Sequence, residues 1–279
     1  MCSSDLGGNL YGYAGKILEV DLSKKRILEK EISLAFAKKY LGGIGFNAKI
    51  LYDELPAGVD ALDEGNILVF GVGTLVGSPF PTASRTEASA KSPMTGQFGT
   101  SNSGLFFGSQ LKAAGFDALV IKGQAQKPVY LLIEDDNVTI CDASGLWGKD
   151  SWESIDILKT RHYGVDVALI GQAGENLVRF ASIENGRYDG WGRTGLGAVM
   201  GSKKLKAVAV RGTKGIRPAD PQGLLDVSMR AQNAIKAIPS YVPFTQYGTM
   251  NATIPYGKFK ALSARSEEHT SELQSHHDL

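Results

Sequence analysis

Two glycine-rich segments carry the residues whose types and spacing could do chemistry. The first segment, Thr82–Gly104, reads T-A-S-R-T-E-A-S-A-K-S-P-M-T-G-Q-F-G-T-S-N-S-G, with one arginine and one lysine among small polar residues. The second segment, Asn185–Gly197, reads N-G-R-Y-D-G-W-G-R-T-G-L-G, with two arginines among glycines. Small residues let backbone N–H groups approach an anion, and arginine can donate two hydrogen bonds at once. The pair therefore predicts a ligand with two phosphates or two similar halves.

Other interpretations of the glycines stay open on composition alone. Glycines and small polar residues also form tight turns in which positive φ angles favour glycine. The sequence gives little support to a dinucleotide-binding motif. Gly71-Val72-Gly73 follows an apolar run, as such a motif does, but it precedes T-L-V-G-S-P-F-P. The two prolines oppose the helix that such a motif needs.

The two ends of the chain are predicted not to belong to the protein. Residues 265–275 read R-S-E-E-H-T-S-E-L-Q-S, which resembles a translated sequencing-library adaptor. Residues 1–6 read M-C-S-S-D-L, which resembles the reverse complement of the same oligonucleotide. We therefore expect residues 1–6 and 265–279 to be artefacts that take no part in the fold.

The remaining 258 of the 279 residues exclude several classes of protein. They hold 29 basic and 24 acidic residues, one cysteine and one histidine. This excludes a disulfide framework and a self-contained four-cysteine metal site, and no Ser-His-Asp or Cys-His set is proposed around the single histidine. We expect Cys141 to be a small core residue and His162 to be a solvated cation at a helix end.

The net charge and the hydropathy pattern bear on partners. A charge of +5 suits a phosphate-bearing ligand and is too small to indicate nucleic acid. No apolar run reaches the roughly 18 residues of a membrane span, and no secretory signal is present. We therefore expect a cytoplasmic protein without a nucleic-acid or membrane partner.

Sequence patterns predict an α+β fold made of two copies of one strand-rich unit with pseudo-twofold symmetry. The run Asn66–Gly73 (N-I-L-V-F-G-V-G) resembles Asp166–Gly174 (D-V-A-L-I-G-Q-A-G). Later, Phe107–Gly123 resembles Met200–Gly212. The same order of elements thus occurs twice: a strand, a segment rich in glycine and arginine, a helix, a Leu-Lys pair and a second strand. Chance similarity of glycine-flanked strands is the alternative.

Capping residues predict where helices begin. Ser33 is a candidate N-cap, and Asp220 precedes Pro221 in the first position of a helix reaching about Ile238. The strand-rich pattern ends near Gly212. We therefore expect one domain over residues 7–215 and the start of a helical domain over residues 216–264.

Several long words of the sequence match one known family. They are Y-L-G-G-I-G (Tyr40–Gly45), K-S-P-M-T-G (Lys91–Gly96), N-S-G (Asn102–Gly104), F-G-S-Q-L-K-A-A-G-F-D-A (Phe107–Ala118), K-P-V-Y (Lys127–Tyr130), I-G-Q-A-G-E-N-L-V (Ile170–Val178) and G-R-T-G-L-G-A-V-M-G-S-K-K-L-K-A-V-A-V (Gly192–Val210). From about Gly12 to Gly215, the chain resembles the N-terminal domain of the tungsten-containing aldehyde:ferredoxin oxidoreductases.

The resemblance implies a bis-pterin tungsten cofactor, tungstopterin, in which a magnesium ion bridges the phosphates of two pterins. The residues that match family contacts are Arg85, Asn102 and Gly104 in the first segment and Gly190, Gly192 and Arg193 in the second. The side-chain oxygen of Asn102 and the backbone carbonyl of Gly190 match the magnesium ligands, which are hard oxygens for a hard cation.

One position departs from the family pattern. The family often has a basic residue immediately before the position of Gly190, and this chain has Asp189 there. An acid beside phosphates is unfavourable unless the metal or Arg187 compensates. The departure weakens the transfer of this contact and can mark a subfamily.

The resemblance also implies an activity. Family members oxidise aldehydes to carboxylic acids at tungsten and pass the electrons through a [4Fe–4S] cluster to ferredoxin. The cluster ligands and the acid/base residues of the pocket follow this domain, so we expect no catalytic residues here and an inactive fragment. The implied partners are ferredoxin, an aldehyde and a second copy in a homodimer.

Alternatives from other classes stay open. A tungsten enzyme of the same family could act on an aromatic acyl-CoA or another non-aldehyde substrate. The chain could also be a non-catalytic phosphate-binding module. The sequence does not distinguish tungsten from molybdenum.

Overall fold

The structure, a computed structural model, describes residues 10–259. The segments predicted to be adaptor-encoded, residues 1–6 and 265–279, lie outside this range. The chain divides into two compact units, one that extends to Leu224 and one that begins at Leu225. None of the helices within residues 10–259 is long and apolar enough to cross a membrane.

Twelve strands form two six-stranded sheets within the described residues. The first six are β1 (Lys16–Asp21), β2 (Arg26–Glu31), β3 (Leu68–Val72), β4 (Thr86–Lys91), β5 (Phe98–Ser103) and β6 (Ala118–Lys122). The second six are β7 (Val129–Glu134), β8 (Asn137–Asp142), β9 (Asp166–Leu169), β10 (Ile183–Asn185), β11 (Asp189–Trp191) and β12 (Leu205–Arg211).

The two sheets have the same topology, which confirms the predicted duplication. The first sheet has the order β2-β1-β6-β3-β4-β5, and the second, read from its other edge, has the order β8-β7-β12-β9-β10-β11. Each strand of the second sheet thus takes the place of the strand six earlier. The parallel pairs also correspond, β1 with β6 and β7 with β12, while the other neighbours are antiparallel. We call β1–β6 the first repeat and β7–β12 the second repeat.

Helices begin where the capping residues predict. Up to the end of the second repeat they are α1 (Leu34–Tyr40), α2 (Ile44–Glu54), α3 (Phe107–Ala114), α4 (Ser151–Arg161), α5 (Gln172–Glu175) and α6 (Leu196–Ser202). After it come α7 (Pro221–Lys236), α8 (Tyr241–Tyr247), a 3-10 helix (Gly248–Ala252) and α9 (Thr253–Lys258). Ser33 Oγ accepts the N–H of Phe36 at 3.1 Å, and Asp220 precedes Pro221 at the start of α7. These N-terminal signals are local, which is why sequence reasoning finds them.

Two helices lie between the sheets and fill the central core. Both α3 and α6 contact strands of both sheets. Phe107 of α3 and Met200 of α6 are fully buried in one cluster with Phe70 of the first sheet and Val208 of the second. Outside this centre, α2 packs on the far face of the first sheet and α4 on the far face of the second. In this pseudo-symmetric arrangement the inner edges of the two sheets, the edge strands β5 and β11, are in contact.

A glycine at the second position of each central helix allows this close packing. A Cβ on Gly108 of α3 would clash with the side chain of Thr86, at the start of β4. A Cβ on Gly197 of α6 would clash with the backbone of Ser182, just before β10. Close packing of the helix start against the sheet therefore requires glycine at both positions, one in each repeat.

Sequence patterns did not predict β2, β5 or β11. The strand β5 crosses the first segment, and its inward-facing residues are Gly99, Ser101 and Ser103, which are buried without being apolar. Alternation of apolar and polar residues is therefore absent there. Pairing with β4 through the whole of β5 makes it a strand.

Each repeat buries one lysine against an acidic partner. In the first repeat, Lys112 Nζ donates to the carbonyl oxygens of Gly73 at 2.6 Å and Thr74 at 2.8 Å, and lies 4.0 Å from Asp117 Oδ1. In the second repeat, the fully buried Lys206 pairs with Glu175.

The buried charges have opposite signs at equivalent places. The carbonyl of Asp117 accepts the N–H of Val72, and the carbonyl of Lys206 accepts the N–H of Ile170. The two residues thus hold the same backbone position in their repeats. The position is an aspartate in the first repeat and a lysine in the second. Each repeat keeps a buried ion pair because it has a partner of the opposite charge, Lys112 in the first and Glu175 in the second.

The buried ammonium of Lys112 predicts a pH effect. Burial lowers the pKa of Lys112 from 10.5 to about 8, against the opposing effect of Asp117. Between these pH values the unfolded chain holds more protons at this residue, so the free energy of unfolding rises with pH by ~1–3 kcal/mol. Burial lowers the pKa of Lys203 to about 8 as well, so the two contributions have the same sign.

A carbon-13 NMR titration of the lysine side chains measures this pKa directly. We expect Lys112 to titrate near pH 8, and Lys49 to titrate above pH 10.5 because its hydrogen bond to Asp53 raises its pKa. A midpoint for Lys112 at or above that of Lys49 would contradict the prediction.

Candidate functional site

The two glycine-rich segments lie against each other where the inner edges of the two sheets meet. Most of the first segment is the β4–β5 hairpin, and the second contains the end of β10, all of β11 and the start of α6. Strand β5 is in contact with β11. Asn102 pairs with Glu87 in the first hairpin, and Gly190 pairs with Glu184 in the second. Asn102 and Gly190 therefore occupy equivalent positions of the two repeats.

Buried donors of the second hairpin fix it to the first. Asn185 Nδ2 donates to Ser103 Oγ at 3.0 Å and to the Gly104 carbonyl at 2.7 Å. The fully buried Trp191 donates its indole N–H to the Thr86 carbonyl at 2.9 Å. Buried polar groups stabilise an arrangement when all of them have partners, so these bonds define how the hairpins meet.

Hydroxyl groups of the first segment bind the backbone of the second. Ser101 Oγ accepts the N–H of Arg193 at 3.2 Å, and Ser92 Oγ donates to the carbonyl of Thr194 at 2.8 Å. Both serines belong to the segment that the sequence predicts to bind phosphate. The structure uses these two to join the repeats.

The predicted arginines face solvent and are not equivalent. Arg85 precedes the first hairpin, and its Nη1 donates to Asn102 Oδ1 at 3.0 Å. Arg193 follows the second hairpin and is exposed. Beside it, Gly192 is also exposed, and a Cβ placed on it meets no atom within 4 Å. All four residues are exposed, and the backbone of Arg193 binds Ser101, the neighbour of Asn102.

Asp189 connects the two predicted contact glycines. Its Oδ2 accepts the N–H of Gly104 at 2.6 Å, and its Oδ1 accepts the N–H of Gly190 at 2.8 Å. Arg187 does not compensate this charge, because it pairs with Asp156 and lies over the ring of Trp152. The backbone N–H groups are what stabilises the carboxylate.

Other candidates from the sequence have structural roles. His162 Nε2 lies 2.9 Å from Tyr130 Oη, and Cys141 packs at the edge of a core cluster. Gly71 lies within β3, where a Cβ would meet the carbonyl oxygen of Gly43 at 2.7 Å. Close packing of α2 thus explains Gly71 without a nucleotide. No group of three or more His, Cys, Asp or Glu residues that could hold a metal occurs within residues 10–259.

Residues 17–212 match the sequence model of the aldehyde ferredoxin oxidoreductase N-terminal domain. The chain belongs to this family. A tungsten-containing aldehyde ferredoxin oxidoreductase from Pyrococcus abyssi is 44% identical over 234 residues, which are 82% of this chain and 38% of that protein. The family membership confirms the resemblance inferred from the sequence words.

Relatives with other names share the same domain. The WOR-like subunit of an aliphatic sulfonate oxidoreductase from Pyrococcus furiosus is 36% identical over 86% of this chain and 40% of its own length. The active-site complex BamBC of benzoyl-coenzyme A reductase, solved with 1,5-dienoyl-CoA, is similar with a TM-score of 0.79 and 42% identity. That match covers 81% of this chain and 35% of the solved chain. The chain thus spans 35–40% of the length of these three relatives.

Proposed function

We propose that this chain is the cofactor-binding base of a tungsten-containing oxidoreductase and that the paired hairpins bind the phosphates of a bis-pterin cofactor. The proposal rests on the contact between the two glycine-rich segments. Two phosphate-binding patterns about eighty residues apart in sequence fold onto one surface, with Asn102 and Gly190 at equivalent positions. A ligand with two similar phosphate-bearing halves needs such a pseudo-symmetric surface.

The chemistry of the donors fits a phosphate–magnesium group. Arg85 is exposed, so its guanidinium can turn from Asn102 to a phosphate without leaving a buried group unpaired. Asn102 Oδ1 then becomes available to a cation, and an amide oxygen is a ligand that magnesium accepts. Gly190 would contribute its carbonyl, and Gly192 leaves space for the ligand.

These residues would bind and orient the cofactor without taking part in bond making. When bound, the tungsten–pterin group supplies a two-electron redox change with oxygen transfer to the substrate. Arg85 and Arg193 would hold phosphates by charge-assisted hydrogen bonds, and Asn102 and Gly190 would hold the magnesium ion. Gly104 is buried and its backbone N–H and carbonyl bind Asp189 and Asn185, so it would position the two hairpins and not donate to the cofactor directly. In the whole enzyme we propose aldehyde oxidation, with a [4Fe–4S] cluster carrying electrons to ferredoxin.

A second candidate activity is reaction with an aromatic acyl-CoA. The similarity to the benzoyl-coenzyme A reductase complex favours it, because the identity of 42% is close to that of the aldehyde enzymes. Electron transfer assays with an aldehyde and with benzoyl-CoA on the same preparation would distinguish the two.

The variant Gly192→Leu tests the cofactor surface. Because a side chain at position 192 enters open space, the fold should keep its melting temperature. A bulky side chain would occupy ligand volume, so we expect tungsten and pterin content, measured on protein purified from a tungsten-supplied host, to fall at least about tenfold.

Gly145→Leu is the matched control. Gly145 is also exposed, and its Cβ position is also open, but it lies in the loop after β8 and outside both segments. It should keep full cofactor content. Unchanged content in Gly192→Leu would contradict the proposed function.

A further inference from the structure

The two repeats are joined by a pair of contacts that differ in charge. Because Asn102 and Gly190 are equivalent, the residue before each is equivalent too, and these are Ser101 and Asp189. Ser101 Oγ accepts the N–H of Arg193 from the other repeat at 3.2 Å. Asp189 Oδ2 accepts the N–H of Gly104 from the other repeat at 2.6 Å. One side of the pseudo-symmetric junction thus uses a neutral hydroxyl, and the other uses a carboxylate.

The carboxylate of Asp189 has a role beyond the one that the hydroxyl of Ser101 fills on the other side of the junction. A serine at position 101 holds its side of the junction, so holding the repeats together does not require a charge. Asp189 also accepts the N–H of Gly190, so it takes two backbone donors that could otherwise bind an external anion. It fixes one negative charge beside Gly190.

Arg187, the basic residue nearest to Asp189 in the sequence, does not neutralise this carboxylate. Glu184 pairs with Gly190 in the hairpin and adds a second carboxylate, whose Oε2 lies 3.3 Å from the position of a Cβ on Gly190. Arg187 is held by Asp156 and Trp152. A phosphate that approaches Gly190 therefore meets two carboxylates, which a bound cation would offset in addition to Arg85 and Arg193.

Resting on the proposed function, we propose that Asp189 is a positioning residue that joins Gly104 to Gly190 and that its charge makes phosphate binding at this site depend on a divalent cation. Asn102 and Gly190 would hold the cation, and its charge would offset the fixed carboxylates. In this arrangement Asp189 selects a metal–phosphate complex over the free anion.

The experiment uses the full chain with inorganic pyrophosphate as the probe. Isothermal titration calorimetry measures the dissociation constant with and without Mg²⁺ for the wild type and for Asp189→Asn. Removing one charge a few ångströms from the phosphate should reduce the magnesium dependence, the ratio of the two constants, about tenfold. The variant Asp189→Ser copies the hydroxyl of Ser101 and should reduce the ratio equally. Asp142→Asn, on the far edge strand β8, is the control and should leave the ratio unchanged.

Amide hydrogen exchange measures the positioning role separately. Asparagine keeps one acceptor oxygen, so exchange of at least one of the Gly104 and Gly190 amides should accelerate in Asp189→Asn, and both should stay unchanged in Asp142→Asn. Wild-type protection of both amides in Asp189→Asn and Asp189→Ser would overturn the positioning role. A wild-type magnesium dependence in both variants would overturn the charge role.

Two of these outcomes leave the proposed function intact, because they concern Asp189 alone. Absence of any pyrophosphate binding to the wild type, with Mg²⁺ present, would instead overturn the proposed function and this inference with it. The cofactor content of Gly192→Leu tests the proposed function independently.

Discussion

Replacing Lys206 with methionine is expected to lower the free energy of unfolding by about 3–5 kcal/mol, because it leaves Glu175 as a buried charge without its partner. The side chains of Lys206 and Glu175 are 0% and 5% exposed. Lys206 Nζ also donates to the carbonyl of Lys149 at 2.9 Å, which the variant leaves unpaired. Urea unfolding followed by circular dichroism measures the loss.

A surface ion pair provides the matched control. Lys159 lies 3.9 Å from Asp166, and the Lys159 side chain is 48% exposed. Lys159→Met should cost at most about 1 kcal/mol. The double variant Lys206→Met with Glu175→Gln should recover part of the stability, since it removes the isolated charge. A loss below about 1 kcal/mol in Lys206→Met would show that the buried pair does not stabilise the second repeat.

The second large effect concerns cofactor binding. In protein purified from a tungsten-supplied host, Arg85→Ala and Arg193→Ala should each weaken retention of tungsten and pterin. Each variant removes a charge-assisted contact worth about 1.5–3 kcal/mol, which corresponds to roughly ten- to hundredfold in affinity. Lysine at either position should restore only part of the loss, because it lacks the two-pronged guanidinium.

Arg187→Ala is the internal control for this experiment. Arg187 lies in the same glycine-rich segment but pairs with Asp156 and Trp152, away from the phosphate surface. Its removal should leave metal and pterin content at the wild-type level. Wild-type content in both Arg85→Ala and Arg193→Ala, or an equal loss in Arg187→Ala, would refute the assignment of the arginines.

The duplication and the helix starts could be predicted from the sequence. The paired runs Asn66–Gly73 and Asp166–Gly174 became β3 and β9, which hold the same place in the two sheets. Ser33 caps its helix through a contact only three residues away. Such signals are local, or they repeat along the chain, so they can be recognised without knowing the neighbours in space.

Strands made of polar residues could not be predicted in this way. β2 has the sequence R-I-L-E-K-E and becomes a strand by pairing with β1. β5 has serines and a glycine on its buried face, and it becomes a strand between β4 and the second repeat. In both, pairing with a neighbour outweighs the lack of an alternating apolar pattern.

The sequence by itself determined the family, the two-repeat α+β plan and the residue types that predict phosphate binding. Only the tertiary structure decided which of those polar groups face a ligand and which join the repeats. Ser101 and Asp189 belong to the second class because their partners, Arg193 and Gly104, are more than eighty residues away in the chain. A hydroxyl or a carboxylate binds whichever donor folding brings within about 3 Å, and that distance is set by the packing of both repeats.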